Sequence, residues 1–422
     1  MSAFWPVFDE HHVMSFVRGE GGDNPEPVRP LSLESAAAAK DKITAFLDTL
    51  ENYSTSDYPC LEAYRAFEQE RIAAFDMILE ADNPDRIGVL NDHLYGAFTG
   101  AAGPEAVAHL AAHIKSLQPT TAAQPYHQLV CDALQGIGSS ASLHHHFTAL
   151  NDYRLKLRPF MQRRFGFVEE LLDAYKDVDF LTSEQLRDVL QITLERTLGA
   201  GRNGWNAVVS AGAPNVFINN QHREVTIPAH RQYTKSHADT LAVHEIGVHV
   251  QRSVNGSLSR ERLAGFGLAG YGPIEEAFGV LLGNAAKQTY HQINSLIPFA
   301  VINFAASEPR PTFRQVHEFA RALIITLANP DAATLDGRYL EYGRAAFSRT
   351  IRVLRLGHSG LIERSTTKYW NGQLLLERHF DEHGLSDRTF DEFFAGKYDC
   401  LNPSQLPLIT EHSATIRKPL GD

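Results

Sequence analysis

Between Trp205 and Val254 the chain changes its periodicity, and this change constrains the fold more than any other feature of the sequence. WNAVVSAG, NVFIN and REVTIPAH are short, rich in β-branched residues and separated by Gly, Pro and Asn, so they are expected to form a small sheet or hairpin. Directly after them a helix is expected across His237–Val254, carrying HEIGVH from His244 to His249. On either side the pattern is helical: from Leu31 to about Leu198, from Pro273 onward, and over 311–328, 338–355 and 364–383. Thr182 and Gln185 have the spacing of a capping box, in which each side chain satisfies a backbone donor left open at a helix start. The helix they begin, EQLRDVLQITLERTL, should end at Gly199. The expected class is therefore mainly α with a small β-sheet (α+β). Residues 1–30, rich in Pro, Gly and charge, are expected as an irregular lead-in. Regions 31–200 and 201–422 come next, either as separate domains or as one continuous domain.

Composition excludes several functions. Hydrophobic residues at 43% and charged residues at 21% are the proportions of an ordinary soluble globular protein. The net charge of -11 would repel phosphate, which argues against a nucleic-acid partner. No basic stretch followed by an apolar run opens the sequence, and no uninterrupted apolar segment reaches the roughly 18 residues that span a bilayer. No membrane partner is expected, and the expected location is the cytoplasm. Cys60, Cys131 and Cys400 are odd in number and far apart, as isolated thiols are, and do not suggest a disulfide framework.

The chemistry is concentrated in HEIGVH. An ideal α-helix advances about 100° per residue, so side chains five apart point about 140° apart and would not meet at one ion. A π-bulge, with its extra residue in the turn, returns the two rings to roughly one face, and Gly247 between them is expected to give the backbone that freedom. Neutral imidazole is the usual zinc ligand, and a catalytic zinc takes three protein ligands and keeps a place for water. Glu245, beside the first histidine, is suited to carry that water's proton. The third ligand is expected from IEEAFG, Ile274–Gly279, whose Glu275 and Glu276 stand in the first turn of the next helix. These two point about 100° apart, so one helix placement aims only one of them inward, and the spacing leaves both open. Acids at a helix start also complement its dipole.

HEIGVHVQRSVNG followed by GLAGYGPIEEAFG resembles the zinc-peptidase family of the microtubule-associated tyrosine carboxypeptidases, whose bacterial members are named for a Gln-Glu-Gly-Leu-Ala motif. The matching positions are His244, Glu245, Ile246, Gly247 and His249, then Arg252, Asn255 and Gly256, then Gly267, Leu268, Gly270 and Tyr271. The resemblance is densest over about 215–285 and extends from about 40 to the end. It implies a gluzincin-like metallopeptidase core within 201–422, with zinc held by His244, His249 and Glu276 and with Glu245 as catalytic base. Ala277, Phe278 and Gly279 replace the three residues that follow the motif glutamate, and YWNG at Tyr369–Gly372 is similar to a Tyr-Leu-x-Gly element. The implied activity is that of a zinc metallocarboxypeptidase releasing a tyrosine-like or other aromatic residue from the C-terminus of a peptide or protein. A metal-binding regulatory protein without turnover and a zinc hydrolase of a small amide are the alternatives. Glu245 weighs against the first, because a pure binder needs no base.

An Arg fork suits a free carboxylate, which makes Arg223, Arg252, Arg352 and Arg355 candidate substrate contacts. Tyr271, Tyr369 and Arg252 are candidates for stabilising an oxyanion. Arg252 and Asn255 also suit helix-end capping and buried hydrogen bonding. REVTIPAH is expected to hold extended peptide by edge pairing, with Arg223 or Arg231 near the cleft. GFGLAG satisfies Gly-x-Gly-x-x-Gly but comes after the polar SLSRERLA instead of a strand, so a loop between the two site helices is expected. His144–His146 would point in different directions around a helix. No Gly-x-Ser-x-Gly or P-loop is present.

Overall fold

The computed structural model describes residues 10–20, 22–25, 27, 32–56, 58–80, 83, 86, 89, 102–135, 142–199, 204–211, 213, 215–259, 262–285, 292–355, 362, 368–402 and 404–405. It is mainly helical with small sheets, the α+β class expected from the sequence. Two compact units are each assembled from three stretches of chain. Residues 1–48, 69–147 and 291–371 make the first, and residues 49–68, 148–290 and 372–422 the second. Neither coincides with a division at residue 200. A shift in composition marks a change of local structure, whereas these units are made by helices returning after long excursions along the chain.

The first unit is helical. Ala36, Ile43, Phe75 and Ile78 form one buried cluster, and Ala123, Ile325, Leu335 and Tyr342 another. Helix Phe313–Ala328 starts at a capping box made by Thr312 and Gln315, a device worth about 1 kcal/mol. It stops at Asn329, whose left-handed backbone ends the helix and whose side-chain oxygen accepts from the Thr120 amide at 2.8 Å. The lead-in expected to be irregular contains a helix, Glu10–Val17. Tertiary burial stabilises it: Phe16 packs edge-on against Phe313, His317 and Phe347. A Cβ on Gly343 would lie 2.3 Å from Val17 Cγ1, so Val17 occupies the space that this glycine leaves.

The second unit holds the strands β1 (Phe180–Thr182), β2 (Asn206–Ser210), β3 (Phe217–Asn219), β4 (Glu224–Pro228) and β5 (Gln232–Thr234). β1 and β5 pair antiparallel, and the three-stranded sheet has the order β2-β4-β3, with β2 parallel and β3 antiparallel to β4. This corrects the expectation for REVTIPAH. β4 is the central strand, paired with Asn206–Ser210 on one side and Phe217–Asn219 on the other, so its edges are not open to a peptide. On β2, the Ala207 amide donates to Gln191 Oε1 at 2.9 Å. β3 is the other edge, and it lies against the segment that carries the histidines.

Helix Ser183–Leu198 begins at the expected Thr182–Gln185 capping box and ends at Gly199, with φ 75°. After β5, Thr234 caps the motif helix by accepting from the His237 amide at 3.2 Å. That helix is α over Lys235–Leu241, π over Ala242–Val250 and α again over Gln251–Leu258. A short 3-10 helix, Arg262–Gly265, and the expected loop lead to the acidic helix, Tyr271–Ala285. Among the described residues, no helix is long and apolar enough to cross a membrane. Cys60, Cys131 and Cys400 are free thiols.

Candidate metal centre

The spacing of five between His244 and His249 is accommodated by nine residues of π-helix, a longer distortion than the single bulge expected. Its hydrogen bonds span one residue more than those of an α-helix. The Gln251 amide, for example, donates back to the Ile246 carbonyl. The two imidazoles come together on one face, with ring centroids 4.8 Å apart. Ala242, Val243, Ile246, Gly247, Val248 and Val250 are buried around the rest of the segment, while His244, Glu245 and His249 are half-buried. Gly247 corrects a second expectation, because its φ is not positive and it supplies no special conformation. Its role is space: a Cβ there would lie 2.8 Å from Cζ of Phe165.

Glu276 faces both rings. Its Oε2 is 3.7 Å from His244 Nε2 and 3.9 Å from His249 Nε2. One ligand atom from each of the three residues lies within 4.8 Å of the others, so this group could hold a metal ion. A tetrahedral ion with bonds of about 2.0–2.1 Å separates its ligand atoms by about 3.4 Å. The two carboxylate–imidazole pairs therefore need to close by only a few tenths of an ångström, and the two imidazoles, within 4.8 Å, by up to about 1.4 Å. Two imidazoles and one carboxylate are a donor set that zinc accepts.

Glu275 points elsewhere. Its Oε1 is 2.6 Å from His249 Nδ1 and 3.5 Å from Lys397 Nζ, and its Oε2 accepts from Arg252 Nη1 at 3.0 Å. Burial opposes the charge on Glu275, but Lys397, His249 and Arg252 outweigh it and pull the carboxyl pKa down to about 2. An ionised carboxylate can only accept, so His249 Nδ1 is the donor, and the tautomer that keeps this hydrogen bond is the one whose Nε2 lone pair is open to an ion. The two acids part in space: Glu276 faces both rings, and Glu275 lies behind His249. Around His244, burial disfavours the imidazolium, but Glu276, Glu245 and Glu275 together raise its pKa.

Close approach of the two site helices depends on small residues. A Cβ on Gly279 would lie 2.8 Å from Cε1 and Nδ1 of His244, and one on Gly283 would lie 3.0 Å from Cγ2 of Thr240. Gly372, the glycine of YWNG, approaches the other side of the acidic helix: its Cβ would lie 1.9 Å from the Pro273 carbonyl oxygen and 2.8 Å from Cβ of Ala277. Ala277 and Gly279, which follow Glu276, thus take part in tight packing at the site.

The other candidates separate. Arg252 is a correction: it is fully buried, and its guanidinium donates to Glu275, to the Gly396 carbonyl at 2.8 Å and to the Tyr398 carbonyl at 3.1 Å. It cannot reach a substrate from there. Asn255 likewise donates to the Phe394 carbonyl at 2.8 Å, the buried hydrogen bonding anticipated for it. Tyr271 is half-buried at the start of the acidic helix, with Lys397 Nζ 5.6 Å from its ring centroid and Phe67 edge-on at 5.6 Å. Arg223 is exposed in the turn before β4, and Arg231 is exposed after it. Arg352, Arg355 and Tyr369 belong to the first unit and the donor group to the second; Arg352 and Tyr369 both act electrostatically on Arg349. The side chains of His144–His146 lie outside the described residues.

Sequence reasoning missed Lys397 altogether and did not give Glu275 its partner. Lys397 lies in FFAGKYDC, with no periodic or motif signal to mark it. The spacing Gly279-x-x-x-Gly283 was a usable sign of the helix contact. No family model matches the chain, and no curated protein or solved structure matches it either.

Proposed function

We propose that the chain is a zinc-dependent metallopeptidase with a gluzincin-type site, acting as a carboxypeptidase on the C-terminus of a peptide or protein. The observation that carries this reading is the convergence of His244, His249 and Glu276 beside Glu245. The likeness of HEIGVH and its neighbouring motifs to the tyrosine carboxypeptidase family supports the same reading. Zinc bound by these three side chains would polarise the scissile carbonyl and make a water acidic enough to attack it near neutral pH. With the metal held, Glu245 would accept the proton of the attacking water on its carboxylate and return it to the leaving amine as the C–N bond breaks. Glu275 holds the tautomer and plane of His249, and Tyr271, one turn before Glu275, is the candidate donor to the oxyanion. Among the described residues β3 is an edge strand beside the π segment, and it is the candidate edge for an extended substrate in place of β4.

The test uses one peptide series ending in aromatic, aliphatic and charged residues, each with a free and an amidated C-terminus, read by mass spectrometry. Release of single residues from the free-ended peptides only, fastest for aromatic ends, is the expected result. Equal cleavage of both forms, or cuts at internal bonds, would make the protein an endopeptidase. No cleavage by a zinc-loaded protein would leave the metal-binding regulatory reading in its place.

A further inference from the structure

One buried carboxylate links the site to a distant piece of chain. Glu275 accepts from His249 Nδ1 with one oxygen and from Arg252 with the other, and Lys397 lies 3.5 Å from the first. Side chains of all three partners are at most 13% exposed, so these contacts act with little solvent screening. Arg252 also holds the carbonyls of Gly396 and Tyr398, and Asn255, one turn later, holds that of Phe394. The segment is clamped from its other side as well: the Lys397 amide donates to Ala264 at 2.7 Å, and its carbonyl accepts from the Leu268 amide at 2.9 Å. A Cβ on Gly396 would lie 3.0 Å from Cβ of Ala264, so the segment sits flush against the loop between the two site helices.

We propose that Glu275, Arg252 and Lys397 are positioning residues for His249, and that through them the docking of segment Phe394–Tyr398 sets how tightly the site holds its metal. The proposal rests on the metal-centre reading above. Lys397 and Arg252 fix the two oxygens of Glu275, and Glu275 fixes the ring plane and tautomer that present Nε2 to the ion. Outer carboxylate partners of this kind tune metal affinity about 10- to 100-fold. Coupling is reciprocal: if the docked segment favours metal binding, bound metal must favour the docked segment by the same factor.

The experiment uses the full chain stripped of metal, with zinc affinity measured by competition against a chromophoric chelator and folding checked by circular dichroism. Lys397→Met should weaken zinc binding about 10- to 100-fold. Lys397→Arg, which keeps the cation and its attraction for Glu275, should weaken binding less than Lys397→Met. Lys397→Met leaves Glu275 paired with Arg252, which guards it against misfolding from an unpaired charge; the double variant Glu275→Gln/Lys397→Met also removes the carboxylate beside His249 Nδ1 and should be weakened at least as much. In the unmodified protein, zinc should slow hydrogen exchange at the Leu268 and Lys397 amides. Unchanged affinity in both Met-containing proteins, or exchange indifferent to zinc, would overturn the proposal, as would equal weakening by Lys397→Arg. A parent protein that takes up no zinc would overturn the metal-centre reading itself, a result distinct from a parent that binds zinc and variants that bind it equally.

Discussion

Gly279 lies against the imidazole of His244, so close that a Cβ at this position would be 2.8 Å from both Cε1 and Nδ1. The ring is a candidate ligand, and its placement depends on the absence of a single methyl group one turn beyond Glu276. Gly279→Ala should therefore push the ring off its position and weaken zinc binding by roughly tenfold or more, with the helices still formed. Gly283→Ala presses on a Thr240 methyl at 3.0 Å instead and should leave affinity near that of the parent. Chelator competition on both variants checks the contrast, and equal affinities would remove the steric argument.

Glu245→Gln should retain one zinc per chain and the parent circular dichroism spectrum while turnover falls about 10²- to 10⁴-fold. The residue sits beside His244 and is not one of the three converging donors. Elemental analysis alongside the peptide assay decides the matter. Loss of zinc with the fold intact would make Glu245 a ligand.

Gly247→Ala should destabilise the second unit by about 1–3 kcal/mol, because its new methyl would meet the Phe165 ring at 2.8–2.9 Å. Phe165→Leu combined with it should recover part of that loss, since the two changes share one space. Urea denaturation of the single and double variants provides the coupling. Additive effects would show that Phe165 is not the obstacle.

His379 gives the fold a specific sensitivity to acid. Burial, aided by the charge of neighbouring His383, lowers its pKa to about 4, against about 6.5 in an unfolded chain. Between these values the unfolded chain binds the extra proton, so stability rises with pH through the window and is lost as pH falls from about 6.5 toward 4. The contribution at stake is on the order of 1–3 kcal/mol. His379→Leu should lose less stability than the parent between pH 7 and pH 5, measured by chemical denaturation. Parallel losses would assign the acid sensitivity elsewhere.

Much of this was legible because it is local. The Thr182–Gln185 cap, the stop at Gly199, the strands before the motif and the meeting of His244 and His249 with an acidic helix start each arise from spacing within a few dozen residues. What was not legible depends on residues far apart in sequence. REVTIPAH has the same β-branched pattern whether it lies at an edge or at the centre, and only the parallel arrival of β2 makes it central. Glu275 and Glu276 look alike in a helix start until His249, Arg252 and Lys397 surround one of them. Arg252 resembles a substrate clamp until the carbonyls of Gly396 and Tyr398, more than a hundred residues away, occupy its donors. Phe16 and Val17 form a helix only because Phe313, Phe347 and Gly343 receive them.

The π segment takes up its extra residue without turning the helix beyond Val250. Its hydrogen bonds enclose one residue more per turn, so five residues cover roughly the rotation that four cover in an α-helix. Positions after His249 therefore keep the direction they would have after a spacing of four, and Arg252 and Asn255 still meet Glu275, Gly396, Tyr398 and Phe394. The surplus residue is swallowed inside the turn: one rod turns two imidazoles to the same side and, a few residues on, aims a guanidinium at the carboxylate beside one of them.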